Sequence, residues 1–427
     1  MTNEMNTVPE LRFPNFCDEW VNYKLGEIVD IRGRIGFRGY TKSDIIDKED
    51  GGILTFSPTN IISNKLKNTV HDTYITKEKY EESPEIMVKN GDILFVKTGS
   101  TLGKSTLVTN LNEEATVNPQ IVVMRVKEFF HQKFTSTYLT LNKILRQVAQ
   151  IRIGGAIPTL TESEIKKFQV SFPAYEEQKK IGYFFSKLDR QIELEEEKLE
   201  LLEQQKRGYM QKIFSQELRF KDERGNNHPS WKEMKLMEFL SVIDGDRGKN
   251  YPTKNDFMEN GHTLFLSATN VTKQGFSLNQ SQYITKEKSN SMGKGKLNIN
   301  DVVLTTRGSI GNVFLYNEKI AKKNPFVRIN SGMLILRTED YIKSFFITKY
   351  LVSPLGKKQI DLLSFGSAQP QLTKKNIELY KIKLPVRQEQ KQISLFLKKI
   401  DKIIEKQSSK VELLKQRKQG LLQKMFV

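Results

Sequence analysis

The chain has little of what cross-linking, metal binding or membrane insertion would require. A single cysteine, Cys17, among 427 residues rules out an intramolecular disulfide framework and suits a reducing compartment. The four histidines, His71, His131, His228 and His262, stand apart and form no zinc pattern and no Cys/His or Ser/His pair. No run of about 18 apolar residues occurs, so nothing is expected to span a membrane. The opening MTNEMNTVPE lacks the basic-then-apolar pattern of a signal peptide. A cytoplasmic protein of two or three domains is expected from these features and the length.

Acidic charge is also scarce, but only in one half. The formal net charge is +18. Residues 1–214 hold 30 basic and 30 acidic side chains, whereas residues 215–427 hold 38 and 20. An excess of that size points to an acidic partner, nucleic acid first.

What the chain does have is a second copy of itself. Residues 176–214 and 388–426 align without a gap, and 19 of the 39 pairs are identical. Upstream, Tyr74–Lys79 (YITKEK) reappears as Tyr283–Lys288, Ser57…Thr59-Asn60 as Ser267…Thr269-Asn270, and GGAIPTLT (154–161) as GSAQPQLT (366–373). A period near 212 residues is far longer than the units of about 50 or fewer residues in solenoids. It implies two whole domains, each followed by its own helix, related by a pseudo-two-fold axis and suited to a two-part target.

Short β-rich runs at Gly52–Phe56, Asp92–Val96 and Ile121–Val126 precede a helical stretch at Phe134–Gln150. The second copy has runs at Leu264–Leu266, Asp301–Thr305 and Met333–Leu336 and a helical stretch at Ile342–Leu362. Strands with a few helices and no strict βαβ alternation predict α+β domains. The expected layout is a disordered tail (1–10), one domain (11–175), a central helix (176–217), a second domain (218–387) and a distal helix (388–427).

The helices carry a narrow apolar seam on a 4-3 spacing. It runs through Ile181, Phe185, Leu188, Ile192, Leu199 and Leu202 in one, and Ile393, Leu397, Ile400, Ile404, Val411 and Leu414 in the other. Glu195 and Lys206, then Gln407 and Lys418, fall at the polar places. This is a coiled-coil seam, and 39 helical residues would span about 58 Å. The first helix is acid-rich and the second base-rich, so their flanks complement one another. Mutual antiparallel pairing is expected.

Catalytic motifs fail on spacing. KTGSTLGKS (97–105) has three residues between its glycines where a phosphate loop needs four, and the equivalent TRGSIGN (306–312) lacks the following Lys-Ser. Asn118-Pro119-Gln120 and Asn324-Pro325-Phe326 lack the second proline of an adenine methyltransferase motif. Glu164-Ile165-Lys166 has the spacing of a nuclease's terminal Glu-x-Lys, but its copy reads Asn376-Ile377-Glu378. No cofactor or metal site is expected in this chain.

Binding chemistry remains. Arg32, Arg34, Arg38, Lys97, Arg247, Lys249, Lys294, Lys296 and Arg307 sit on or beside glycine-rich turns, where backbone approaches a phosphate closely. Arg and Lys there would neutralise phosphates or reach guanine edges, while Asn60, Asn270, Gln369 and Gln371 would pair with adenine.

Two domains, each closed by Pro173…Glu177-Gln178…Ile181 or Pro385…Glu389-Gln390…Ile393, and helices ending Gln211-Lys212-Ile213-Phe214 and Gln423-Lys424-Met425-Phe426, resemble the specificity subunit of Type I restriction–modification systems. So do the openings Leu11-Arg12-Phe13…Trp20 and Leu218-Arg219-Phe220…Trp231 and the turns GSTLG and GSIG. The resemblance implies two target-recognition domains reading the halves of a bipartite site in double-stranded DNA, with the helices as a ruler for the gap. It also implies two adenine-methylating and two ATP-driven nuclease subunits as partners. S-adenosylmethionine, ATP and Mg²⁺ would belong to them. The residues alone leave two rivals open: a basic coiled-coil scaffold and a self-contained DNA-modifying enzyme.

Overall fold

The computed structural model describes residues 8–36, 39–151, 158–273, 275–278, 280–364 and 371–427. Most of the expected tail, together with Arg38 and Gln369, lies outside them. Its contacts gather into two units. One comprises residues 1–196 and 410–427, and the other residues 197–409. Neither is a continuous stretch of one sequence copy, because each takes the end of a helix that begins in the other copy.

The first unit is built on an antiparallel sheet in the order Val29–Arg32, Ile121–Val126, Ile93–Val96, Ser105–Leu107. Along Ile93–Val96 the side chains alternate between two cores. Ile93 and Phe95 join a helix-covered cluster, and Leu94 and Val96 join a cluster beneath a second sheet. Both faces of the strand are therefore buried, which is why it reads as an unbroken apolar run. The second sheet is three-stranded and mixed: Thr73–Ile75 pairs antiparallel, and Ala115–Val117 parallel, with Ile53–Phe56.

The second unit repeats this plan. Its four-stranded sheet runs Ser241–Asp244, Met333–Arg337, Val302–Thr305, Val313–Leu315, and its mixed sheet places Thr263–Leu266 between Tyr283–Ile284 and Val327–Ile329. The expected α+β class holds. The single helical stretch expected in each copy is in fact two helices, Gln132–Leu139 with Asn142–Ile151 and Tyr341–Val352 with Pro354–Ser364. In the second copy Pro354 has no N–H to continue the ladder and opens a new helix instead.

The long helices, Tyr175–Phe214 and Arg387–Met425, pair antiparallel within each unit. In the first unit Asp189 meets Lys418 at 2.5 Å and Glu195 meets Lys410 at 2.5 Å, so one helix descends as the other rises. In the second, Lys206 meets Asp401 at 2.6 Å. Asp189–Lys418 and Asp401–Lys206 are equivalents under the repeat. All twelve seam residues are buried or half-buried, whereas Leu194, Leu201, Leu395, Ile403 and Leu413, off the seam, are exposed. Asp401 also takes Lys349 at 2.6 Å. Burial works to raise the Asp401 carboxyl pKa, and the two ammonium groups outweigh it and hold it below the usual range.

Each helix start is fixed by one buried ion pair. Arg12 grips Glu177 with Nε at 2.7 Å and Nη2 at 2.6 Å, and Arg219 grips Glu389 at 3.1 and 2.7 Å; both carboxylates are fully buried. The neighbouring glutamines, Gln178 and Gln390, each donate at 2.8 Å to the carbonyl of the proline five residues back. The Leu-Arg-Phe opening and the Glu-Gln helix start are thus two halves of one joint. Trp20 and Trp231 fill equivalent places, against Phe134 and Phe346, despite their different spacing from that opening. The second copy absorbs its extra residues in a turn held by Asp222, whose carboxylate accepts from the N–H groups of Arg224 and Asn226.

Removing one member of such a pair strands a buried charge, at a cost on the order of 3 kcal/mol. Glu177→Gln is expected to lose about that much in denaturant unfolding, whereas the double variant Arg12→Met/Glu177→Leu, which removes both charges, should lose less. A double variant worse than either single one would mean that the pair is not what fastens the helix.

Candidate nucleic-acid interface

In the first unit, Ile93–Val96 turns back through Lys97–Lys104 into Ser105–Leu107. Gly99 (φ 106°) and Gly103 (φ 86°) adopt the left-handed region that this turn needs. A strand returning as a hairpin offers no helix N-terminus to a nucleotide phosphate, so the P-loop likeness ends there. Two further segments come to the turn. Pro158–Leu160 lies alongside it, with Gly99 N–H donating to the Pro158 carbonyl and Leu160 N–H to that of Lys97. The Ser57–Asn60 turn and Gln120 border the same concavity, of about 670 Å³.

The second unit assembles the same parts. Gly308 (φ 72°) and Gly311 (φ 79°) shape the turn, Leu372 N–H donates to the Thr306 carbonyl, and Ser309 reaches the Ala268 carbonyl at 3.5 Å. Arg307 occupies the place of Thr98. It is exposed, and its Nε donates to Gln371 Oε1 at 3.2 Å, leaving the outer edge of the guanidinium to solvent. Beside the turn, Arg247, Lys249 and Lys294 line a concavity of about 570 Å³, with Lys296 exposed on the same loop as Lys294. Lys97 is half-buried at the base of its turn, and Arg32 is exposed at the end of its strand.

Four of the expected contacts are placed differently by the fold. Asn60 and Asn270 are buried, and their amides are occupied within the fold. Asn60 Oδ1 accepts from Ser57 N–H at 2.9 Å, and its Nδ2 donates to the Lys67 carbonyl at 3.1 Å and Asp72 Oδ1 at 2.7 Å. Asn270 accepts from Ser267 N–H at 2.9 Å and donates to the Ser277 carbonyl at 3.1 Å. Neither presents an edge to adenine. Arg34 points inward, donating to the Val117 carbonyl at 3.1 Å beside the Tyr40 ring, and burial pushes its pKa down. Gln371 acts on Arg307 rather than on a base.

Other motifs resolve into scaffold. Glu164 closes a capping box on Thr161, and Ile165 is fully buried. Asn118-Pro119-Gln120 ends the strand Ala115–Val117, whereas Asn324-Pro325-Phe326 begins the equivalent strand Val327–Ile329. The two Asn-Pro pairs therefore sit at opposite ends of the same element. Gln120, beside Gly99, borders the concavity without being among the expected contacts, although its Asn-Pro-Gln segment stood out. No group of three His, Cys, Asp or Glu able to hold a metal ion occurs among the described residues, and no helix there is long and apolar enough to cross a membrane.

The family model of the Type I restriction modification DNA specificity domain matches the chain twice, over residues 17–204 and 229–414. The chain belongs to that family. It is similar, at 25% identity over 96% of its length and 93% of the relative's, to the Type I restriction enzyme MjaVIII specificity subunit of Methanocaldococcus jannaschii. The putative MjaX specificity subunit of the same organism is 23% identical over 95% of the chain and 93% of that protein. Among solved structures, the S subunit of a Type I restriction–modification system from M. genitalium aligns with a TM-score of 0.60 at 16% identity, covering 98% of this chain and 99% of that one. A chain from a structure of Type I assembly and conformational transition aligns at 0.55 and 18%, covering 97% and 99%. Specificity subunits are the non-catalytic members of these systems, and the failed catalytic motifs agree with that.

Within this specificity subunit, Asn60 is read as a scaffold residue. Asn60→Ala leaves Asp72, the Lys67 carbonyl and the Ser57 N–H without their buried partner. It should lower stability by about 2 kcal/mol in thermal unfolding without altering the DNA sequence selected. A changed sequence with unchanged stability would return Asn60 to the reading surface.

Proposed function

We propose that the chain reads a bipartite double-stranded DNA target, one half by each unit, and brings adenine-methylating subunits and ATP-dependent nuclease subunits to it in the cytoplasm. What carries this reading is that both units present the same three-part surface, a glycine turn flanked by an x-Leu-Thr segment and a Ser-x-Thr-Asn turn, with different side chains on the glycine turn. Arg307 faces outward in one and Thr98 stands at that place in the other. Equivalent scaffolds with unlike readers suit an asymmetric two-part site. S-adenosylmethionine, ATP and Mg²⁺ are then needs of the partner subunits. Of the expected contacts, Arg32, Lys97, Arg247, Lys249, Lys294, Lys296 and Arg307 stay in the proposal, Gln371 as the residue that orients Arg307.

The decisive experiment co-expresses the chain with its methylating subunits in cells free of other adenine methylation and maps methylated adenines across the genome. A split motif that disappears when the chain is omitted is expected. Methyl transfer by the chain purified alone, or methylation without sequence preference, would defeat the proposal.

Helix length is read as setting the unread gap. Adding one heptad to each helix, between Ile192 and Leu199 and between Ile404 and Val411, preserves the seam and lengthens the pair by about 10 Å. The gap should widen by about one to three base pairs, given about 3.4 Å per base pair, with both half-sites unchanged. An unaltered gap in an active variant would show that something else sets the spacing.

A further inference from the structure

The repeat supplies an internal comparison for the loop that follows the first strand of each four-stranded sheet. In the first unit this loop is Gly33–Gly36, and it lies against the segment Glu82–Val88. Ile35 N–H donates to Glu85 Oε1 at 3.2 Å, so a carboxylate joins the two. In the second unit the equivalent segments are Asp244–Arg247 and Ser291–Leu297. The joining carboxylate now comes from the other side. Asp246, at the place of Ile35 by sheet register, accepts from Gly248 N–H at 2.8 Å and Gly293 N–H at 2.7 Å, and these backbone donors hold its pKa below the usual carboxylate range.

The exposed charges change as well. Gly36 is replaced by Arg247 and Glu85 by Lys294, Lys296 adds a further cation, and Lys249 stands where the first copy's sequence has Arg38; Arg247, Lys249, Lys294 and Lys296 are all exposed. Beneath them Arg328 is 4% exposed. Among the described residues it donates to neutral oxygens, Ser289 Oγ at 3.0 Å and the carbonyls of Lys294 at 2.8 Å and Met292 at 3.2 Å. It thereby pins the lysine-bearing loop from below and adds a fixed positive charge. Asp244 offsets part of this, lying 3.8 Å from Arg247, and Asp246 has its oxygens turned to backbone N–H groups. Gly245 permits the close approach, since a side chain there would collide with the Asn330 carbonyl.

We propose that the loops Gly245–Asn250 and Ser291–Lys296 form a clamp for the phosphodiester backbone of duplex DNA. The segment Glu82–Val88 of the first unit carries no cation at the places of Lys294 and Lys296, so sequence-independent affinity is concentrated in the second. This rests on the chain's being a DNA reader, but it concerns the backbone and not the bases.

The test uses the full chain and a labelled duplex lacking the methylated motif, with the dissociation constant measured across a series of chloride concentrations. Each phosphate neutralised contributes about 0.9 to the log–log salt slope. The triple variant Lys249→Ala/Lys294→Ala/Lys296→Ala should therefore lower the slope by about 2.7. The variant Lys322→Ala/Lys323→Ala/Lys383→Ala removes the same charge from exposed positions elsewhere in the unit and should change it little. Glu85→Lys should steepen the slope by placing a cation at the equivalent point of the first unit. Circular dichroism and thermal unfolding establish that the variants are folded. Equal effects of the two triple variants would reduce the clamp to bulk charge and overturn it, as would an unchanged slope in the clamp variant. Displacement of the duplex by inorganic phosphate beyond that by chloride of equal ionic strength would mark a free-phosphate site and also overturn it. Methylation mapping separates the two readings. A wild-type chain that confers no motif defeats the proposed function, whereas a motif that persists beside an unmoved slope defeats only the clamp.

Discussion

The core of each unit is closed by the end of a helix that begins in the other sequence copy, and much of the structure follows from that constraint. Phe426 stacks on Phe134 at 5.3 Å and meets Trp20 and Phe185 at the centre of the first unit. Phe214 meets Phe346 and Tyr350 in the second. Aromatic residues buried this deeply dominate a core's energetics, so neither unit is complete without the distal turn of the other copy's helix. This accounts for the repeated Gln-Lys-[Ile/Met]-Phe endings, which a pair of helices packed only on each other would not need. A domain trimmed of that turn would expose the aromatic floor on which the turn sits.

The ends of the chain obey the same rule. Leu218 N–H donates to the Lys212 carbonyl at 2.9 Å where the first helix runs on into the second copy's opening. Leu11 N–H donates to the Lys424 carbonyl at 2.8 Å, with no peptide link between them. A helix end, a Leu-Arg-Phe segment and a buried Arg–Glu pair thus form one joint, made once through the chain and once across its two extremities. The interhelical pairs Asp189–Lys418 and Asp401–Lys206 fix the register in both places. Partly exposed pairs of this sort add little stability, and their effect is to choose one alignment of the seam over its neighbours.

The scaffold was legible because it is periodic or duplicated. The seam, the antiparallel pairing and the α+β class follow from spacing, from complementary flanks and from short apolar runs. The reading surface was less legible because local pattern does not reveal what lies beneath a turn. Asn60 and Arg34 looked like contact residues on polar or glycine-rich turns, yet each finds buried partners from distant segments, Asp72 for one and the Val117 carbonyl for the other. Gln371 looked like an adenine reader until the folding of its segment along the Thr306–Asn312 turn brought it to Arg307. Arg328, on a strand, carried no turn signature at all.

Duplication supplies the missing discriminator. Where both copies keep the same residue and both bury it, as with Asn60 and Asn270 or Glu177 and Glu389, the shared role is to hold the fold, and identity between copies argues against base reading. Where the copies differ at equivalent turn positions, as with Thr98 and Arg307 or Gly36 and Arg247, the scaffold tolerates either residue, and the difference is free to serve the ligand. On the proposed reading of two unlike half-sites, one architecture must place its differences there. The charge imbalance follows the same logic on the proposed reading, in which an asymmetric target is held firmly through one half while the other contributes discrimination.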